Sequence, residues 1–220
     1  MTPSVYVFDA YGTLFDVHAA ARAHASALGP DAAALSALWR RKQLEYSWTH
    51  ALMGDWRDFW TLTERALDHA LATFPSVPRE ARVTLLDSYW TIDCYDEVPS
   101  VLHALKARGG RIALLSNGTR AMLDAAVKRA GLDMLIDDVF SADAVCRYKT
   151  DPALYEMVTT GYRLYPEAVS FQSANRWDVA GAACFGFRTV WINREAQADE
   201  YPDHAPDLIL PSLKSLEMHA

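Results

Sequence analysis

Residues 5–13 read V-Y-V-F-D-A-Y-G-T, and this stretch decides the fold class. An apolar run rich in β-forming residues stops at an acid, Asp9, and a Tyr-Gly-Thr turn follows it. A short apolar run that ends in turn residues is typical of a parallel strand buried on both faces. The sequence therefore predicts a buried first strand whose carboxyl end carries Asp9.

Four later apolar runs have the same character, and helical patterns separate them. The predicted strands are 111–115, 168–171, 188–192 and 207–210, and the predicted helices are 98–107, 120–130, 152–162 and 178–184. Strand and helix in alternation predict an α/β fold with a doubly wound, Rossmann-like parallel sheet.

Residues 15–96 break this alternation, because they contain amphipathic helical patterns and no convincing strand. Five of the seven tryptophans lie in this stretch. We predict an α/β core made of residues 1–14 and 97–220, with an all-helical cap at 15–96. Sheets of this kind bind ligands beyond the carboxyl ends of their strands, so a cap inserted after the first strand would cover the site.

The charge balance argues against two classes of partner. The chain carries 21 basic and 28 acidic residues, whereas a nucleic-acid binder normally shows a basic patch and an anionic membrane attracts basic segments. No apolar stretch approaches the length of a transmembrane helix. We expect neither nucleic acid nor membrane as a partner.

The N-terminal apolar run is too short for a signal peptide, and Asp9 interrupts it. Cysteines occur at Cys94, Cys146 and Cys184, an odd number at wide spacing without a C-x-x-C motif. Neither a disulfide framework nor a zinc site is expected from this pattern. These features predict a cytoplasmic protein.

Polar residues gather where the predicted strands end. They are Asp9, Thr13, Ser116, Asn117, Ser173, Asn175 and Asp178, with Lys149 in a loop before a helix. Alone, each has an ordinary alternative: a turn former, a helix cap, a surface lysine or an acid in a first helical turn. Together, and in this order, they indicate a site.

The segments F-D-A-Y-G-T-L-F, L-L-S-N-G and S-A-N-R-W-D, with Lys149, resemble the four motifs of the haloacid dehalogenase superfamily. More narrowly, they and the cap segment A-L-W-R-R-K-Q-L-E-Y-S-W resemble the L-2-haloacid dehalogenases, over nearly the whole chain. The resemblance implies a hydrolase without cofactor that removes halide from a small 2-haloacid. It implies preference for the L form, with Asp9 attacking to form an aspartyl ester.

The chemistry assigns roles around this nucleophile. Lys149 would keep Asp9 ionised, and Thr13 would hold Asp9 by a hydrogen bond. Asp178, aided by Asn175 and Ser173, would orient or activate water.

Further roles concern the substrate. Ser116 and the backbone N–H groups of Ala10 and Tyr11 are candidates for binding its carboxylate. The resemblance places the halide at Arg40, with Asn117 beside it; Arg41 is the competing choice from sequence alone. Phe59 and Trp177 are candidate pocket walls. Tyr155 matches a family position and is expected to support Lys149 or Asp9.

A divergent phosphatase and a non-catalytic relative are the alternatives. Phosphatases of the superfamily carry a second Asp two residues after the nucleophile, which protonates an alkoxide leaving group. Tyr11 stands there in this chain, and a halide needs no proton. Residues 172–175 lack the acidic pair that would help to bind Mg²⁺, so no metal is predicted. A non-catalytic relative should have lost Asp9, Lys149 and Asp178.

Three further expectations concern the surroundings of the site. Thr150 stands where the family usually has proline, which questions the geometry of that loop. Arg176 should either point to solvent or alter the charge near Asp178. Residues 37–56 carry apolar positions that fit a subunit interface, and we predict a homodimer.

Overall fold

A computed structural model describes residues 5–218, so residues 1–4 and 219–220 of the predicted core lie outside it. The strands are β1 (Val5–Phe8), β2 (Arg111–Ser116), β3 (Asp138–Ser141), β4 (Val169–Ser173), β5 (Arg188–Ile192) and β6 (Leu208–Leu210). Within the described range, they form one parallel sheet in the order β3-β2-β1-β4-β5-β6. This order reverses beside β1, which confirms the predicted doubly wound α/β fold.

The helices of the described range fall into two groups. The first group lies between β1 and α6, the helix that precedes β2, and consists of α1 (Ala19–Ala23), α2 (Ala25–Leu28), α3 (Ala32–Met53), α4 (Phe59–Thr73) and α5 (Ala81–Trp90). We call residues 19–90 the helical insertion. After it come α6 (Val98–Ala107), α7 (Arg120–Arg129), α8 (Pro152–Tyr162) and α9 (Arg176–Phe185). No helix in residues 5–218 has the length and apolar character needed to cross a membrane.

Local sequence explains where these helices begin and end. The Asp58 carboxylate accepts a hydrogen bond from the backbone N–H of Thr61 at 3.0 Å, which caps the start of α4. Asp151 caps α8 in the same way, and Pro152 occupies its first turn. Helix α9 stops at Gly186, whose φ of +105° is easily adopted only by glycine.

Strand β1 lies at the centre of the sheet and is buried throughout. It pairs with β2 on one side and β4 on the other, with Phe8 level with both Leu114 and Gln172. Because all three strands run in the same direction, their carboxyl ends share one edge of the sheet. Asp9, Ser116 and Ser173 therefore come together.

The sequence analysis missed β3 and misplaced some boundaries. Strand β3 begins with a charged residue, and its first three residues are only half buried, as befits an edge strand without an apolar run. Strands β2 and β4 extend to Ser116 and Ser173, so both serines lie within strands. Helix α9 begins at Arg176, which puts Asp178 in its first turn.

Gly181 tests the packing of α8 against α9. A Cβ atom there would lie 2.6 Å from both the Tyr155 hydroxyl and the Thr150 methyl. Replacing glycine by alanine inside a helix ordinarily stabilises by about 1 kcal/mol, but overpacking costs about 1–3 kcal/mol. We expect Gly181→Ala to lower the free energy of unfolding in urea. Ala183→Gly in the same helix measures the propensity effect alone, and a stabilised Gly181→Ala would contradict the predicted clash.

Candidate active site

Asp9 leaves β1 with its two carboxylate oxygens in different surroundings. Its Oδ2 accepts hydrogen bonds from Thr13 Oγ1 at 2.9 Å, Asn175 Nδ2 at 2.8 Å and Ser173 Oγ at 3.4 Å. Its Oδ1 accepts one from Lys149 Nζ at 3.0 Å. Three donors thus fix the carboxylate through Oδ2. Oδ1 contacts a single donor, the Lys149 ammonium.

Lys149 bridges two buried carboxylates. Its Nζ lies 2.7 Å from Asp178 Oδ2 and 3.0 Å from Asp9 Oδ1, and the side chain is 1% exposed. Burial lowers the pKa of Lys149, but the charges of Asp178 and Asp9 outweigh burial and raise it. The ammonium therefore stays charged and offsets both carboxylates.

The loop that presents Lys149 is held at its backbone. The Lys149 N–H donates to Asn117 Oδ1 at 2.9 Å, and the Lys149 carbonyl accepts from Trp48 Nε1 at 3.1 Å. The peptide bond between Lys149 and Thr150 is cis. The loop thus delivers Lys149 to the site without the proline that the resemblance led us to expect.

Asp178 is a buried carboxylate with a raised pKa. Its side chain is fully buried, and burial raises its pKa to about 6, with Lys149 opposing and Asp9 adding to the rise. The Tyr155 hydroxyl donates to Asp178 Oδ1 at 3.0 Å. A carboxylate with a pKa slightly below neutrality is ionised at pH 7 and still able to accept a proton.

A small closed cavity lies beside Asp9, between the strand ends and α3. Its lining consists of Asp9, Tyr11, Arg40, Leu44, Phe59, Ser116, Asn117, Lys149 and Trp177. Among the described residues, neither Asn117 Nδ2 nor the Tyr11 hydroxyl has a hydrogen-bond partner, although both are buried. The cavity therefore combines these two unpartnered groups with the Arg40 guanidinium and with aromatic side chains in its lining.

Arg40 reaches this cavity from α3 and is fixed by two acceptors. Its Nη1 donates to Gln43 Oε1 at 2.7 Å and its Nη2 to the Tyr11 carbonyl at 3.2 Å. Arg41, the competing choice, is exposed. The sequence analysis missed Gln43, a fully buried amide that also donates to Thr63 Oγ1 at 2.6 Å. Its spacing from Arg40, three residues on one helix, was the available signal.

Three residues bond to partners other than those with which the sequence analysis associated them, and their roles stay predictions. The side chains of Ser173 and Asn175 donate to Asp9, because both residues lie at the end of β4, which pairs directly with β1, and only the Asn175 carbonyl bonds to Asp178, accepting from its N–H at 3.0 Å. Tyr155 contacts Asp178 and neither Lys149 nor Asp9, because α8 packs beside α9. All three residues still belong to the same hydrogen-bonded network.

Other predicted residues lie in or beside the cavity, and their roles stay predictions. Ser116 lines it, with its Oγ accepting from the Gly118 N–H at 3.1 Å. The Ala10 backbone belongs to the turn after β1, where its carbonyl accepts three hydrogen bonds. Phe59 and Trp177 line the cavity, and Phe59 stacks on Tyr11 at 6.3 Å between ring centroids.

Arg176 does not point to solvent, and its charge is balanced by Asp199, not by Asp178. It is buried and pairs with Asp199 at 2.7 Å. Its Nη2 donates to the carbonyls of Tyr201 and His204 at 2.7 and 2.9 Å. Arg176 therefore fastens the segment 199–204 to α9.

Among residues 5–218, no group of three or more His, Cys, Asp or Glu side chains is arranged to hold a metal ion. The Lys149 ammonium bridges the two carboxylates that do converge, Asp9 and Asp178. Independence of metal stays a prediction, and a chelator tests it below.

Comparison with known proteins gives consistent matches. A family model described as haloacid dehalogenase-like hydrolase matches residues 3–186. The chain is 45% identical over 196 residues to (S)-2-haloacid dehalogenase 4A of Burkholderia cepacia, covering 89% of this chain and 85% of that protein. A crystal structure of a dehalogenase is 41% identical with a TM-score of 0.97, covering 100% of this chain and 97% of the other. The L-2-haloacid dehalogenase of Xanthobacter autotrophicus with chloropropionic acid covalently bound is 34% identical with a TM-score of 0.90, covering 99% and 98%.

Removing the bridging ammonium should cost stability in a pH-dependent way. Lys149→Met leaves two buried carboxylates without a counter-charge, for which we expect a loss of about 3–5 kcal/mol at neutral pH. The loss should shrink towards pH 5, because a proton can then neutralise Asp178, whose pKa is raised to about 6 by burial. Urea unfolding at both pH values measures it.

Lys106 provides the matched control. Its Nζ lies 2.7 Å from Asp137 Oδ1, but both side chains are about a third exposed. Lys106→Met should therefore cost no more than about 1 kcal/mol. Equal losses in the two variants, or a Lys149→Met loss that ignores pH, would show that the buried bridge has no special importance.

Proposed function

This chain belongs to the haloacid dehalogenase-like hydrolase family, and we propose that it hydrolyses short L-2-haloacids to D-2-hydroxyacids through an ester on Asp9. One observation carries the proposal. The Asp9 carboxylate, held by three donors on Oδ2, faces a closed cavity whose free donors suit an anion. The Xanthobacter relative, with chloropropionic acid covalently bound, supports a covalent intermediate.

The first step forms the ester. Asp9 Oδ1 attacks C2 of the haloacid from the side opposite the halogen, so the carbon–halogen bond breaks as the carbon–oxygen bond forms and the stereocentre inverts. The halide departs with the bonding electrons towards Arg40 and the free Nδ2 of Asn117. Ser116 and the amides of Ala10 and Tyr11 are our candidates for the substrate carboxylate.

No acid is needed in that step, and Tyr11 would supply a poor one. Burial raises the pKa of the Tyr11 hydroxyl far above its usual range, with Tyr89 and Asp9 adding to the rise. A phosphate ester releases an alkoxide, a strong base that needs a proton, whereas a halide is a very weak base. This contrast favours halide displacement over the phosphatase alternative.

The second step breaks the ester. Asp178 takes a proton from water, and the resulting hydroxide attacks the Asp9 carboxyl carbon. Negative charge then develops on Oδ2, where Thr13, Asn175 and Ser173 already donate, so these residues form an oxyanion hole. The bond from that carbon to Oδ1 breaks, and the 2-hydroxyacid leaves with the proton held by Asp178. The water oxygen stays in Asp9, and the carboxyl group regenerates the carboxylate by releasing the second proton of that water to solvent.

We also propose a division into a core, residues 1–14 and 97–220, and a cap, residues 15–96, because helices α1–α5 all fall inside the latter. Hydrogen exchange should then show two cooperative units; a single unit would contradict the division.

The Cys94, Cys146 and Cys184 thiols are free, which supports a reducing, cytoplasmic location, testable by cell fractionation.

A homodimer is the remaining proposal. Leu52 and Met53 at the end of α3 are 88% and 64% exposed, and large exposed apolar side chains are common at subunit interfaces. Light scattering should give twice the mass of the chain, and Leu52→Asp should reduce it to that of one chain. A monomeric parent protein would contradict the proposal.

Halide release tests the whole function. With racemic 2-chloropropionate in EDTA, we expect chloride and D-lactate, with release stopping near half conversion because one enantiomer is consumed. Asp9→Asn should abolish release, since the amide is not a nucleophile at this carbon. Mg²⁺-dependent cleavage of a phosphate ester without chloride release would instead identify a phosphatase.

The acid limb of the pH profile tests Asp178. Because its pKa is raised to about 6, Asp178 loses its function as a base as the pH falls through that value. Ester hydrolysis should slow accordingly, and the covalent ester should accumulate in rapid-quench mass spectra. Asp178→Asn should trap the ester at every pH.

Tyr155→Phe tests the direction in which the acid limb of the pH profile moves. The Tyr155 hydrogen bond lowers the pKa of Asp178, so its removal should move the acid limb to higher pH. An acid limb unchanged in Tyr155→Phe, or no ester in Asp178→Asn, would exclude Asp178 as the base.

A further inference from the structure

A large apolar groove lies on the far side of the wall of the active-site cavity. Its volume is about 680 Å³, and its lining includes Pro152, Phe185 and Tyr201. Trp177 lines both this groove and the closed cavity around Asp9. The groove and the reacting centre therefore share one wall.

Trp48, from α3, lines the groove and packs against the Trp177 wall. Its indole meets Trp177 edge-on, with ring centroids 5.3 Å apart and planes at 84°. Its Nε1 donates to the Lys149 carbonyl at 3.1 Å, which anchors the ring to the loop of the bridging lysine. The indole is thus held in place although the residue is 36% exposed.

The linings on the two sides of this wall differ in charge. Among the described residues that line it there is no Lys, Arg, Asp or Glu, whereas the cavity holds Asp9, Lys149 and Arg40. A 2-haloacid with a long hydrocarbon chain has the same polarity gradient, with a charged head and an apolar tail. Its head matches the charged lining of the cavity and its tail matches the apolar lining of the groove.

We propose that Trp48 determines substrate chain length, by separating the cavity from a groove that would otherwise accept the tail of a longer 2-haloacid. This inference rests on the proposed function. The far rim of the groove is fixed as well, because Arg176 fastens Tyr201 and His204 to α9. Removing the Trp48 ring should therefore open a formed site.

The test compares kcat/KM for the L enantiomers of 2-bromopropionate, 2-bromohexanoate and 2-bromooctanoate. Burial of each added methylene can contribute up to about fourfold, so Trp48→Ala should raise the hexanoate-to-propionate ratio by at least about tenfold over the parent protein. Trp48→Phe keeps an aromatic wall but loses the N–H donor, and should keep the parent ratio. Trp60→Ala, in the same insertion but packed on Trp90, should also keep it.

The reactivity of Cys184 can show whether the groove is occupied. Cys184 lines it and is exposed, while Cys146 is exposed elsewhere. In Trp48→Ala, the product-like D-2-hydroxyoctanoate should slow alkylation of Cys184 relative to Cys146; in the parent protein it should not. Trp48→Leu serves for both measurements if the alanine variant does not fold.

Each result has one meaning. A parent protein that already processes the octanoate as well as the propionate, a ratio unchanged in Trp48→Ala, or an unprotected Cys184 would overturn the role of Trp48. No bromide from any substrate, 2-bromopropionate included, would instead overturn the proposed function.

Discussion

The site depends on one buried ion triad, in which the Lys149 ammonium lies between the carboxylates of Asp9 and Asp178. Burial without a counter-charge favours the protonated form of a carboxylate, and at Asp178 the Lys149 charge opposes this effect. Lys149 is itself charged in the interior only because two acids flank it. The triad thus joins three separate parts of the chain at one point: the end of β1, the loop of Lys149 and the first turn of α9.

The same triad separates the tasks of the two acids. Asp9 receives three further donors on one oxygen, whereas Asp178 lies deeper, and its pKa is raised to about 6. The first environment fixes the carboxylate that we propose as the nucleophile, and the second suits a group that accepts and returns a proton. Burial and hydrogen bonding thus give two chemically similar side chains different surroundings, on which their proposed roles depend.

Much of this arrangement was predictable, because parallel strands bring their carboxyl ends to one edge. Asp9, Ser116 and Ser173 follow from that rule and from short apolar runs. The partners of Ser173 and Asn175 did not follow, since they depend on which strands are neighbours in the sheet, and sequence order does not show this. Edge strand β3 lacks an apolar run, and its absence from the prediction has that physical cause.

Residues that act between distant elements were the hardest to foresee. Trp48 and the Lys149 carbonyl are 101 positions apart, and Arg176 bonds to a segment more than 20 residues later. A tryptophan on an amphipathic helix or an arginine beside a motif carries no signal of such a partner. The same holds for the wall that Trp48 and Trp177 form, because one ring comes from the helical insertion and the other from α9. That wall exists only when the helical insertion packs on the sheet domain, so the shape of the cavity depends on the contact between the insertion and the rest of the chain. The chemistry of the triad, in contrast, depends on residues that follow the strands of the sheet.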